Sequence, residues 1–229
     1  MWKRLIEAWR SDNLLDQAWK ESYEMLEIDR RMFLEAVRIL RESDDVELNE
    51  DVRKLVKQVN RYERDVRRKV MTHCTVTGPA ELPSGMTLVS IVIDIERVGD
   101  YCKNIVDLAR QHPRRLNVEV VEARLRKVER EVRERFDETI EVLRDSDVEQ
   151  AREMMRTYRA EIGAICDDIT GELVQTQSGV APGDAVAMAL YVRHLKRIGA
   201  HLHNVVSSVV NPFHRIGYKA KDAKPDEGA

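Results

Sequence analysis

The strongest constraint on this chain is a set of long segments in which apolar residues recur at alternating spacings of three and four. One segment carries this seam as Leu48, Val52, Leu55, Val59, Tyr62, Val66 and Val70. Such spacing places the apolar side chains on one face of an α-helix and is typical of a helical bundle. Prolines are missing from the interiors of these segments and occur in the turns between them. The pattern therefore predicts six long helices.

The six segments form two copies of one unit. Phe33, Leu40 and Arg41 in the first segment match Phe136, Leu143 and Arg144 in the fourth at an offset of 103 positions. The third and sixth segments match at an offset of 100 positions. The matching residues are Arg97 and Arg197, Gly99 and Gly199, and Asn104 and Asn204. Repetition of this kind predicts an all-α fold of two tandem, pseudo-symmetric three-helix bundles. We expect them at 12–113 and 114–211, followed by a disordered tail over 212–229.

Composition removes several classes of function. Charged residues make up 34% of the chain, but the net charge is only −3, which argues against a nucleic-acid-binding protein. The three cysteines are far apart and show no Cys-x-x-Cys spacing, so we expect reduced thiols in the cytoplasm. The longest apolar run, Ala185 to Val192, is far shorter than the roughly 20 residues that span a bilayer. Any membrane role is therefore expected to come through a partner.

Three carboxylates share a stripe on the third helix. At about 100° per residue, Glu96, Asp100 and Asp107 fall within about 40° of one another. Carboxylates one turn apart can bind a hard or borderline cation, so these three residues are candidate metal ligands. The alternative is an ion-pair ladder, because Lys103 has the helical spacing to contact Asp100 and Asp107.

The second copy suggests another use for the stripe. If the halves pack with twofold pseudo-symmetry, Lys196 and His203 would lie near Glu96 and Asp100 and form charge pairs between the bundles. The remaining acid of interest is Asp29, which interrupts the apolar seam of the first helix. We expect it to lie at the solvated edge of that seam, and the alternative is a buried acid that fixes helix register.

The motif Glu96-Arg-Val-Gly-Asp100-x-x-x-Asn104-Ile-x-Asp107, repeated in degenerate form in a duplicated three-helix chain, resembles the PhoU family of phosphate-transport regulators. The resemblance extends from Asp12 to about Val210. It implies a cytoplasmic, frequently dimeric protein that acts as a negative regulator. Its implied partners are the ATPase subunit of the phosphate ABC transporter and the sensor histidine kinase of the phosphate-starvation genes.

Members of this family bind transition metals through one Glu/Asp-x-x-x-Asp motif in each half. Here the resemblance assigns Glu96 and Asp100 to the first motif, with Asp107 downstream, and implies Fe, Zn or Mn in the first half only. The second motif departs from the pattern, since Lys196, Ala200 and Ser207 replace its acidic residues. This departure keeps a second hypothesis open, a metal-free helical adaptor for another transporter or signalling partner.

An enzyme is disfavoured by the motifs. The Glu-x-x-His pairs of di-metal oxidases are missing from the sequence, as are Gly-x-Ser-x-Gly, a Walker loop and a dinucleotide fingerprint. His194 and His201 share a helix face but are two turns apart, too far to chelate one ion unaided. We therefore expect a non-enzymatic protein with surface or capping histidines.

Overall fold

The computed structural model describes residues 13–44, 51–112, 114–175 and 179–220. Within these ranges the regular structure is helical, and the long helices follow the predicted order. They are α1 (Leu14–Arg41), α2 (Val52–Thr77), α3 (Leu82–Gln111), α4 (Glu122–Asp145), α5 (148–174) and α6 (Pro182–Val210). The prediction of an all-α chain with six long helices is confirmed.

Three helices begin at side chains that cap their free amide groups. Asn13 accepts a hydrogen bond from the Asp16 amide at 2.8 Å, and Asp51 and Asp147 cap α2 and α5 in the same way. The described part of α2 therefore starts directly after Asp51. Residues 45–50, including Leu48 of the predicted seam, lie outside the described residues.

Helix α5 is continuous but not uniform. It consists of an α-helical segment Val148–Tyr158, a π-helical turn Arg159–Gly163 and a second α-helical segment Ala164–Val174. Tyr158 packs beside Gly199 of α6, where an added Cβ would lie only 3.1 Å from the Tyr158 ring. The absence of a side chain at Gly199 therefore permits close contact between α5 and α6.

The two halves pack around a pseudo-twofold axis. Phe33 of α1 and Phe136 of α4, which are equivalent in the repeat, are both fully buried with ring centroids 5.4 Å apart. Helices α3 and α6 run antiparallel along each other, and their contacts pair Asp94 with His201 and Tyr101 with His194. At the offset of 100, Asp94 corresponds to His194 and Tyr101 corresponds to His201. Each contact is therefore the repeat equivalent of the other, as twofold pseudo-symmetry requires. One hydrophobic core extends through both halves.

A buried polar network also joins the halves. The guanidinium of Arg41, at the end of α1, binds Glu122 at 2.7 Å and Glu129 at 2.9 Å on α4. It also donates to the carbonyl of Leu116 in the linker between α3 and α4. The hydroxyl of Tyr191 on α6 donates to Glu129 at 2.7 Å. Three helices are thus fixed to one another through charge-assisted hydrogen bonds.

The first residues of the predicted disordered tail, 212–220, have a defined structure. A 3₁₀ turn at Phe213–Arg215 follows α6, and the side chain of Asn211 donates to the carbonyls of Arg215 and Tyr218. The amide of Gly217 donates to the hydroxyl of Ser207 at 2.7 Å. Residues 212–220 are therefore ordered against α6, because polar side chains of that helix bind their backbone. Residues 221–229 of the predicted tail lie outside the described residues.

Candidate functional site

The carboxylate stripe lies along the outer face of α3, where an arginine of the same helix partly neutralises it. Arg97 contacts Asp100 at 3.3 Å and Glu96 at 3.7 Å. Glu96 is the more buried of the two acids, and burial raises its pKa, with the charge of Asp100 adding to the effect. The two acids are therefore close enough for the charge of one to affect the ionisation of the other.

Asp107 is engaged separately, two turns further along α3. It contacts Lys103 at 3.4 Å and Arg110 at 3.3 Å. The ion-pair alternative predicted Lys103 between Asp100 and Asp107, and the structure shows its contact with Asp107. Local pairs on α3 thus account for much of the stripe.

Asp29 lies behind the stripe, and the expectation that it is solvated is wrong. Its side chain is fully buried, and neither carboxylate oxygen has a hydrogen-bond partner. Gly99 of α3 faces it so closely that an added Cβ would lie 2.6 Å from Asp29 Oδ1. The structure therefore places a carboxyl group in the core, at a close contact between α1 and α3.

Burial controls the ionisation of Asp29. It raises the pKa of Asp29 well above the ordinary value, and the charges of Glu96 and Asp100 raise that pKa further. The neutral, protonated form of this buried acid is therefore favoured. Among the described residues no group of three or more His, Cys, Asp or Glu side chains is arranged to hold a metal ion. The metal assignment of Glu96, Asp100 and Asp107 stays a prediction.

The corresponding positions of the second half serve structural roles. Lys196 donates to Asp167 of α5, within its own bundle, and Ser207 is buried and bound to Gly217. The ring of His203 packs against Tyr158 at a centroid distance of 5.1 Å. The hypothesis that Lys196 and His203 pair with Glu96 and Asp100 is therefore wrong, because both side chains face α5 instead of α3.

The polar contact between the halves uses other residues. His201 Nδ1 donates to Asp94 Oδ1 at 2.6 Å, and the Asn204 amide donates to the same oxygen at 2.9 Å. Arg197 donates to His201 Nε2, which places the ring proton on Nδ1. His201 is buried, so the expectation of surface or capping histidines is wrong for this residue.

Arg197 also connects the helices. Its guanidinium lies over the ring of Tyr101 at 5.7 Å, and its Nε donates to the Tyr101 hydroxyl. Sequence reasoning missed Asp94 and Tyr101 as partners of α6. The repeat could have indicated both residues, because Asp94 and Tyr101 are equivalent to His194 and His201 at the offset of 100.

We expect Asp94→Ala to destabilise the protein by about 1–3 kcal/mol, because His201 and Asn204 each lose a bond while largely buried. Denaturant unfolding of the full chain measures this change. Gln111→Ala, at an exposed position of the same helix, is the control, and we expect it to fall within about 0.5 kcal/mol of the parent. Equal effects of the two substitutions would contradict the role assigned to Asp94.

Comparison with known proteins decides the family. The PhoU domain model matches this chain twice, over residues 23–109 and 125–209. The chain belongs to the PhoU domain family. Its structure is similar to the crystal structure of PhoU from Pseudomonas aeruginosa, with a TM-score of 0.78, 21% sequence identity, and coverage of 86% of this chain and 95% of that one. At this identity the likeness shows the fold. Comparison with curated proteins found no match.

The two PhoU domain matches separate the acidic and the degenerate motifs. The first match contains the predicted ligands Glu96, Asp100 and Asp107, and the second contains Lys196 and Ser207. Across the described ranges, no helix is both long and apolar enough to cross a bilayer. The acidic motif therefore belongs to the first half of the chain.

Proposed function

We propose that this chain is a cytoplasmic, non-enzymatic regulator of phosphate uptake that acts by protein contact. The observation that carries the proposal is the double match to the PhoU domain over both halves. The proposed partners are the ATPase subunit of a phosphate ABC transporter and the sensor histidine kinase of phosphate-starvation signalling, on which the chain acts negatively. A homodimer is the proposed assembly.

The rigid junction of the halves supports a role as a contact platform. Arg41, Asp94 and Arg197 all bind across the junction, so both bundles present their outer faces in a fixed relation. Exposed apolar side chains at equivalent positions of α3 and α6, Met86 and Val186, add surface that a partner can bury. These features suit recognition of another protein better than catalysis.

Co-purification tests the proposed partners. A tagged full-length chain, expressed in its own host in phosphate-replete medium, is expected to retain the transporter ATPase or the sensor kinase. The same tag on an unrelated helical protein is the control. Consistent recovery of a different transporter or signalling protein, with neither expected partner, would refute the proposal and favour the adaptor hypothesis.

The adaptor hypothesis has one structural observation in its favour. In the second half, Lys196 is paired with Asp167 and Ser207 binds the segment after α6, so these motif positions have become part of the scaffold. A protein that has lost one acidic motif in this way can act through surface contact without a metal. The partner recovered in the co-purification distinguishes the two functions.

A transition metal in the first half remains a prediction, with Glu96 and Asp100 as the proposed ligands and Asp107 further along the stripe. We expect protein purified without chelators to carry about one Fe, Zn or Mn ion per chain, and Asp100→Ala to carry almost none. Elemental analysis measures this content. Asp145→Ala, at an exposed site in the second half, is the control and should keep the metal. Parent protein without metal after reconstitution would contradict the prediction.

A further inference from the structure

Helix α2 is strongly basic in a chain that is slightly acidic overall. Val52–Thr77 contains eight arginine and lysine residues and two acidic residues, a net charge of +6, whereas the whole chain has a net charge of −3. Its repeat equivalent, α5, has three basic and six acidic residues over 148–174, a net charge of −3. The excess of positive charge is therefore specific to α2 and is not shared by the second helix of each bundle.

The cations of α2 lie together on its solvent-facing side. The helix packs on α1 and α3 through a buried seam that includes Val52, Val59 and Val66. At about 100° per residue, five exposed cations fall within about 80° of one another on the opposite side. They are Lys54, Lys57, Arg61, Arg64 and Arg68, and we call them the basic stripe. At about 1.5 Å per residue the basic stripe is about 21 Å long.

The centre of the basic stripe is not neutralised by neighbouring acids. Its first residue pairs with Asp51 at 3.5 Å and its last residue pairs with Asp65 at 2.9 Å. Among the residues that the structure describes, no ion pair joins Lys57, Arg61 or Arg64 to an acid. Three adjacent turns of α2 therefore present free positive charge to solvent.

The same turns form a shallow hollow of about 610 Å³ at the surface. The amide side chains of Gln58 and Asn60 line it together with the cations of the basic stripe. Ammonium, guanidinium and amide groups all donate hydrogen bonds, and the first two also carry charge. The hollow is therefore suited to phosphate-containing headgroups that are held close together.

An anionic lipid surface matches this chemistry better than a protein or a nucleic acid. The core of a protein interface is depleted of charged residues and enriched in aromatic ones. Here the centre is charged, and the adjacent Tyr62 is half-buried, with its hydroxyl donating to Glu24 of α1 at 2.7 Å. The net charge of the chain argues against nucleic acid. We propose that the basic stripe binds the headgroups of an anionic lipid bilayer.

Apolar side chains near the end of α2 fit this contact. Met71, seven positions after Arg64 and on the same face, is 67% exposed, and Val76 is 76% exposed. Apolar groups beside basic residues enter the boundary between headgroups and acyl chains when a helix lies on a bilayer. Such a contact at the bilayer surface requires no membrane-spanning segment. It would hold α2 along the membrane and leave the α4–α5 side of the second half free for a protein partner.

Vesicle sedimentation with the full-length chain tests the proposal. The probes are vesicles of equal parts phosphatidylglycerol and phosphatidylcholine, and vesicles of phosphatidylcholine alone. We expect binding to the anionic vesicles only, and release at about 1 M salt, where the Debye length is about 3 Å. Neutralising the centre of the basic stripe with Lys57→Gln, Arg61→Gln and Arg64→Gln should lower the partition coefficient by about 100-fold.

A matched control separates the basic stripe from net charge. Lys127→Gln, Arg130→Gln and Arg133→Gln remove one exposed lysine and two exposed arginines from α4, and should leave vesicle binding within about threefold of the parent. Equal losses in the two triple variants would overturn the proposal, as would binding that persists at high salt.

A parent protein that does not bind anionic vesicles would also overturn the proposal. Loss of a co-purified protein from the variant of the basic stripe would then assign this surface to an acidic protein partner. The vesicles contain lipid alone, so the result does not depend on the transporter or the kinase of the proposed function.

Discussion

Replacing Arg41 by alanine is expected to lower the free energy of unfolding by about 3–5 kcal/mol, the largest loss predicted for a single polar side chain here. The guanidinium binds Glu122, Glu129 and the carbonyl of Leu116. Burial alone would lower the pKa of Arg41, but Glu129 and Glu122 outweigh burial and raise it. Removing the cation leaves two partly buried carboxylates facing each other, so the halves and the linker separate more easily.

Thermal or denaturant unfolding of the full chain measures this loss. At about 2–4 °C per kcal/mol for a chain of this size, the melting temperature should fall by roughly 10 °C. Arg126→Ala is the matched control, because Arg126 binds the same Glu122 at 2.7 Å from the surface, with 74% of its side chain exposed. We expect its cost to stay within about 1 kcal/mol. Equal losses in the two variants would contradict the role of burial.

Replacing Asp29 by valine is expected to stabilise the protein by about 1–3 kcal/mol at neutral pH, the usual cost of a buried polar group without partners. Both carboxylate oxygens of Asp29 are buried and unpaired. Valine is a suitable replacement because Val132 occupies the equivalent position of α4 in the second half and is fully buried there. The substitution therefore removes an unsatisfied acid without changing the shape of the core greatly.

The gain from Asp29→Val should depend on pH in a defined direction. The folded pKa of Asp29 is raised above its value of 3.8, so the folded state holds its proton more tightly than the unfolded state. The parent therefore loses stability as pH rises above about 4, until pH passes the folded pKa. Valine has no such loss, and the difference between the two proteins should grow with pH across that window.

Unfolding measured from pH 4 to 8 tests both parts of this prediction. Glu27→Val on the exposed face of α1 is the control, and its effect should be small and nearly independent of pH. A destabilised Asp29→Val protein at neutral pH would show that the carboxylate has a stabilising partner, such as a bound cation.

Much of the fold could be predicted because the apolar seams repeat with helical spacing. Phe33 and Phe136 matched in the sequence and meet in the core, as the duplication implied. The π-helical turn Arg159–Gly163 could not be predicted, because it accommodates packing against α6 and leaves the apolar period nearly unchanged. The ordered residues after Pro212 were missed because they are held by side chains of α6, not by an apolar pattern of their own.

The candidate site was only half predictable. Helical spacing placed Glu96 and Asp100 on one face correctly, since that face depends on α3 alone. Whether Asp29 is buried, and whether Lys196 faces α3 or α5, depends on the rotation of one helix against another. A polar residue in a seam has the same spacing whether it lies at the edge or in the core. The close packing of Gly99 against Asp29 shows that Asp29 is buried, and the contact of Lys196 with Asp167 shows that Lys196 faces α5.

The proposal that this PhoU domain protein restrains phosphate-starvation signalling is tested most directly by a reporter for phosphate-starvation genes. The measurement uses its own host in phosphate-replete medium, with and without the gene for this chain. The account predicts that deletion turns the reporter on and that the full-length chain restores repression. A reporter that stays off after deletion, with phosphate uptake unchanged, would contradict the proposed function.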